Sequence, residues 1–149
     1  MPHTYSKLLT HLVWSTKDRL DCIAPEMLAD LHGYLGGIVR AEHGTAVAIG
    51  GTSDHVHLLI ELHADHNVAD CVRVVKTNSS RWVHDKWPDR NFAWQPGYGA
   101  FAVSASNAER VIHYIRTQEE HHRRMNYHDE FVALLQHHGI AFDERYLWT

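Results

Sequence analysis

With 149 residues, 44% of them hydrophobic and 21% charged, the chain has the make-up of a globular protein, and residues 1–149 are expected to form a single domain that needs no disulfide or structural metal. A net charge of −4 excludes a protein that coats nucleic acid through bulk positive charge, though not one with a local basic groove. Cys22 and Cys71, the only two, are far apart in sequence and in no metal-type spacing and read as free thiols of a reducing compartment. There is neither a signal-peptide pattern nor an apolar run near the roughly 18 residues of a membrane span, so a cytoplasmic protein is expected.

Tyr5 to Trp14 alternates weakly and reads as a first strand. Pro25 opens a helix whose Met27, Leu28, Leu31, Leu35, Ile38 and Val39 recur at spacings of three and four, closing at Gly44. Thr45 to Ile49 predicts a second strand, and Gly50-Gly51-Thr52-Ser53-Asp54 a hairpin turn into a third, Asp54-His55-Val56-His57-Leu58-Leu59-Ile60. Asn67 to Lys86 predicts a second helix with Val68, Cys71, Val72, Val75 and Trp82 on its apolar side, ended by Pro88. Phe92-Ala93-Trp94 and Tyr98 to Val103 frame a glycine-containing turn and a last strand. Ser106-Asn107-Ala108-Glu109 has the form of a capping box and predicts a helix running to about Met125. A further amphipathic helix spans about His128 to His138 and stops at Gly139. The order β-α-β-β-α-β followed by helices is that of an α+β, ferredoxin-like fold: an antiparallel sheet with helices on one face, plus C-terminal helices.

His55 and His57 are two apart on the third strand, so both side chains leave the same face while Val56 points to the other. Two imidazoles side by side on a rigid strand can chelate a divalent metal; hydrogen-bonded sheet histidines are the bland alternative. Tyr114 and Gln118 are four apart on the capped helix and stack on one side of it, with His121 near the same line. They flank the apolar stripe Ala108, Val111, Ile112 and Ile115, at a border where a site can open. The neighbouring pairs His121-His122 and His137-His138 diverge on a helix and are assigned no site.

His55-Val56-His57 resembles the HUH motif, and Tyr114-Ile115-Arg116-Thr117-Gln118 resembles the Y-x-x-x-Q helix, of the small single-tyrosine HUH transposases of minimal bacterial insertion sequences. The similarity runs through Asp54 to Leu59, Lys76 to Trp82, Phe92 to Phe101 and Tyr114 to His122, in family order and over nearly the whole chain. The resemblance implies an enzyme that cuts single-stranded DNA at hairpin-marked element ends, using one tyrosine and a divalent ion, Mg²⁺ or Mn²⁺, without a nucleotide cofactor. It implies Tyr114 as nucleophile and His55, His57 and Gln118 as metal ligands, and a homodimer in which the tyrosine acts in cis or in trans. A phosphodiester anion resists attack, so a metal that polarises a non-bridging oxygen suits this set. His121 is a candidate assistant to ionisation of the phenol, whose ordinary pKa is about 10.

Residues 71–90 hold Arg73, Lys76, Arg81, Lys86 and Arg90 against Asp85 and Asp89, a local +3. Lys17, Arg19, Arg73, Lys76, Asn78, Ser79 and Arg81 are the candidate DNA contacts, with Trp82, Trp87 and Trp94 able to stack unpaired bases if they are not core. A second class of function is a domesticated, non-catalytic module that binds single-stranded DNA hairpins on the same fold. The intact set His55, His57, Tyr114 and Gln118 speaks against it.

Overall fold

The computed structural model describes residues 3–148; Met1, Pro2 and Thr149, which the single-domain expectation includes, lie outside the described residues. The elements in chain order are β1 (Leu9–Ser15), α1 (Pro25–Ala41), β2 (Gly44–Gly51), β3 (His55–Leu62), α2 (Val68–Lys86), β4 (Gly99–Val103), α3 (Ala108–Arg116), α4 (Gln118–His121) and α5 (Tyr127–His137). The sheet order is β2-β3-β1-β4 with every neighbouring pair antiparallel, the ferredoxin-like arrangement expected, and β3 is an inner strand.

Strand alternation divides the sheet into two faces. Leu12 and Trp14 of β1 and Val56, Leu58 and Ile60 of β3 pack against Met27, Leu31 and Leu35 of α1 and Cys71, Val72, Val75 and Val83 of α2. On the other face, Leu9, Ala48 and Leu59 meet Ile115 of α3, while Val13 and Phe101 meet Tyr127, Phe131 and Leu135 of α5. The C-terminal helices therefore roof the face from which His55 and His57 project. Among the described residues no helix is long and apolar enough to cross a membrane.

Three local expectations are corrected. The first strand starts at Leu9 rather than Tyr5, because the ladder to β3 begins at the Leu9–Glu61 pair and Tyr5 stands in solvent. The capping box does not form: a 3-10 turn (Ala105–Asn107) precedes α3, Ser106 Oγ pairs with Ser104 Oγ at 3.1 Å, and the α3 N-cap Asn107 makes no side-chain cap bond. The helix predicted to reach Met125 breaks at Thr117 (φ −106°, ψ 27°), whose hydroxyl donates to the His113 carbonyl at 2.8 Å.

Two details of β2 set where α3 sits. The β2–β3 register shifts between Ala46 and Ala48, leaving Val47 as the extra residue of a bulge. Beyond it Gly50 pairs with His57, and a Cβ on Gly50 would lie 2.0 Å from the Ile115 carbonyl oxygen. The α3 backbone thus rests directly on a bare stretch of strand.

Candidate active site

His55 and His57 are fully buried on the roofed face. Each has its Nδ1 engaged from behind. His55 Nδ1 lies 2.7 Å from Asp54 Oδ1, and His57 Nδ1 lies 2.8 Å from His11 Nε2 of the neighbouring strand. Asp54 accepts only, so His55 places its proton on Nδ1, and in the neutral ring Nε2 presents a lone pair. Such outer contacts fix the ring orientation that metal-binding histidines need.

The helix break at Thr117 turns Gln118 inward. Its Oε1 lies 2.9 Å from His55 Nε2, and its Nε2 donates to the Tyr114 carbonyl at 3.3 Å and to Glu130 Oε2 at 3.1 Å. The structure thus brings together Tyr114, His55, His57 and Gln118 around one carboxylate that the sequence reading did not single out. Glu130, 1% exposed, sits in the first turn of α5, where the helix dipole favours an anion. Its Oε1 is 3.0 Å from His57 Nε2, 2.9 Å from His122 Nε2 and 3.5 Å from His55 Nε2; its Oε2 accepts the Tyr114 hydroxyl.

His121 lies at the rim, its Nε2 3.5 Å from Glu130 Oε2 and its ring against Tyr114. His122, to which no site was assigned, stands beside these groups. Divergence of adjacent residues holds on a continuous helix, but α4 is one turn long and α5 folds back so that Glu130 stands between the two rings. Ligand atoms of His55, His122 and Glu130 all lie within 4.8 Å of one another, a spacing that can hold a metal ion.

Glu130 carried a signal in the sequence. Tyr127, Phe131, Leu134 and Leu135 form the apolar stripe of α5, and Glu130 lies within it. A carboxylate there must be paired. His122 carried none, because its position depends on the break at Thr117.

Burial opposes ionisation of Glu130, yet hydrogen bonds from His122 and His57 hold its carboxyl well below the usual carboxylate range. Burial, and then the Glu130 charge, push the Tyr114 phenol well above its ordinary value. Burial pushes His57 down to about 4 and His11 down to about 3, so both are neutral near pH 7. Below about pH 6.5 the unfolded chain takes up protons at these two positions that the folded chain refuses. Stability of the metal-free protein should therefore fall as pH drops from about 6.5 toward 4, by about 1.4 kcal/mol per pH unit for each ring. Urea midpoints in EDTA at pH 7.5, 6 and 5 measure it; equal midpoints would contradict the neutral pair.

The candidate DNA contacts divide. Lys17, Arg19, Arg73 and Arg81 are exposed and Asn78 is half-buried, with Arg19 stacked 4.3 Å over Trp148 and Arg73 3.8 Å from Asp70. Lys76 is turned into the fold: its ammonium donates to the carbonyls of Gln95 (2.8 Å), Pro96 (3.3 Å) and Gly97, and burial pushes it down to about 8. Ser79 is fully buried and accepts from Trp94 Nε1 at 2.9 Å. These two residues hold the loop that leads into β4 rather than facing solvent. Ser79→Ala should cost about 1–3 kcal/mol by stranding the indole N–H; an unchanged urea midpoint would put another acceptor on Trp94. Trp94 is core, whereas Trp82 stacks on Tyr34 at 4.5 Å beneath Lys86. Helix α2, which carries most of these cations, packs on the sheet face opposite His55 and His57.

A family model described as "Transposase IS200 like" matches residues 4–118. The ISDra2 transposase TnpA of Deinococcus radiodurans is 25% identical over 116 residues, covering 74% of this chain and 83% of that protein. A crystal structure of a candidate transposase from Deinococcus radiodurans R1 superposes with a TM-score of 0.64 at 27% identity, covering 77% of this chain and 93% of that one. A REP-associated tyrosine transposase solved bound to a REP hairpin shares the fold, with a TM-score of 0.57 at 16% identity over 77% of this chain and 68% of its own. His121, His122 and Glu130 lie beyond the matched stretch.

Proposed function

The chain belongs to the IS200-like transposases, and from that premise we propose that it cleaves and rejoins single-stranded DNA at hairpin-marked element ends. Tyr114 is the nucleophile in this reading, and His55, His57 and Gln118 hold a divalent cation, Mg²⁺ or Mn²⁺. The observation that carries it is the meeting of His55 Nε2 and Gln118 Oε1 at 2.9 Å while the His55 Nδ1–H donates to Asp54. Two lone pairs facing one another at that distance repel unless a proton or a cation lies between them. When bound, the ion supplies positive charge to a non-bridging phosphate oxygen.

The chain's own groups do the rest. Asp54 and His11 keep the Nε2 atoms of His55 and His57 turned into the site. The roof of α3, α4 and α5 limits water around the reacting atoms. Tyr114 Oη bonds to phosphorus as the P–O3′ bond breaks, giving a 5′-phosphotyrosine and a free 3′-OH; the proton lost by the phenol balances the one gained by the 3′ oxygen. The phosphotyrosine keeps the energy of the broken linkage, so rejoining needs no nucleotide.

Exposed cations on the outer side of α2, Arg73 and Arg81, with Lys17 and Arg19 after β1, are the proposed hairpin contacts. Tyr114, His55, His57 and Gln118 meet within one chain, a cis arrangement, and the reading keeps the homodimer that the resemblance implies. Incubation of the protein with single-stranded element-end DNA and Mg²⁺ or Mn²⁺ should give an adduct that survives denaturation and that EDTA prevents. Tight hairpin binding with no adduct under either metal would replace the enzyme by a binding module.

A further inference from the structure

We propose that Glu130 is an additional, charged ligand of the site's cation through Oε1 and anchors the Tyr114 hydroxyl through Oε2, so that one carboxylate ties nucleophile to metal. The proposal rests on the metal-dependent reading above and adds to it a residue from a helix outside the stretch the family model matches. Oε1 already sits 3.0 Å from His57 Nε2 and 3.5 Å from His55 Nε2, on the side the two rings share. His122 Nε2, 2.9 Å from the same oxygen, completes a group whose ligand atoms lie within 4.8 Å of one another. Oε2 faces the other way, accepting from Tyr114 and from the Gln118 amide at 3.1 Å.

Chemistry asks for such a group. Two imidazoles and an amide oxygen are neutral donors, and hard ions such as Mg²⁺ and Mn²⁺ favour carboxylate oxygen. Asp54, the other carboxylate at this site, is turned to the Nδ1 side of His55, away from the shared space. Glu130 supplies the missing charge. Its burial is otherwise hard to account for: a carboxylate placed among Tyr127, Phe131 and Leu135 loses its hydration, and a neutral side chain there would fill the same space.

The test is a binding measurement on the full chain, stripped with chelator and titrated with Mn²⁺ by calorimetry and by the free-ion EPR signal. Glu130→Gln keeps the shape and the hydrogen-bonding reach but not the charge, and should weaken Mn²⁺ binding by on the order of 10–100-fold. Glu130→Asp keeps the charge on a shorter arm and should bind between the two; it decides the matter if Glu130→Gln does not fold. Tyr114→Phe should leave Mn²⁺ affinity within about twofold, because the hydroxyl is held by the carboxylate and is not itself a ligand. Mn²⁺ affinity in Glu130→Gln equal to or tighter than that of the unaltered chain would overturn the proposal and make Glu130 a competitor of the ion. Loss of binding in His57→Ala with none in Glu130→Gln would overturn it while leaving the metal-dependent reading intact; no binding by the unaltered chain would overturn both.

Discussion

Tyr114→Phe is expected to abolish the covalent protein–DNA adduct, by at least about a thousandfold, while hairpin binding and thermal stability stay close to those of the unaltered chain. The substitution removes one oxygen. The ring keeps its edge contacts with His57 (5.7 Å), His11 (6.3 Å) and His121 (5.1 Å), and Glu130 keeps Gln118, His122 and His57 as partners. In the proposed reading the hairpin is bound by groups elsewhere, so only the bond-making step would lose its reactant. Tyr127 makes the experiment discriminating: its ring stacks 4.6 Å from His55 and its buried hydroxyl has no hydrogen-bond partner among the described residues. Denaturing gels of Tyr114→Phe and Tyr127→Phe, side by side, check the assignment. An adduct that persists without the Tyr114 hydroxyl and disappears without that of Tyr127 would move the nucleophile to α5.

The second large effect lies away from the chemistry. Gly50→Ala should destabilise the protein by about 3 kcal/mol or more, because the new methyl would meet a backbone carbonyl at 2.0 Å and no side-chain rotation can relieve it. For a chain of this size that is a fall of about 6–12 °C in melting temperature. Activity should fall further than stability. The carbonyl belongs to Ile115, one residue after Tyr114 and three before Gln118, so lifting α3 displaces the proposed nucleophile and a proposed ligand together. Calorimetric melting with adduct yield measured well below the transition separates the two effects. A melting temperature within about a degree of the unaltered chain would mean that α3 does not depend on this close approach.

Most of the fold was legible because its signals are local. Period-two alternation in β3 and the 3–4 recurrence from Met27 to Val39 survive any tertiary arrangement, and together they order the sheet. Tyr114, His55, His57 and Gln118 were legible as a set because two spaced motifs carry them. Glu130 was legible in principle as an acid on an apolar stripe, but nothing in α5 says which histidines it will meet. That depends on a non-helical backbone at Thr117, which a capping-box reading of Ser106 and Glu109 extends straight through. Lys76 and Ser79 misled for a related reason: a polar residue on a basic helix reads as a surface contact until the 95–97 carbonyls and the Trp94 indole are in place to take its hydrogen bonds.

The bulge at Val47 has a bearing on how such a chain can vary. Were Val47 paired with Leu59 instead of bulged out, the ladder from the Ala46–Ile60 pair would carry Ile49, not Gly50, to the position opposite His57. An isoleucine side chain would then stand where the Ile115 carbonyl now rests, and the isoleucine that lies against Gly36 of α1 would leave that helix. One unpaired residue in an edge strand thereby sets the parity of the β2–β3 pair beyond it. An insertion between Ala48 and Gly50 would move Gly50 off that position, whereas loss of Val47 itself would leave Gly50 opposite His57.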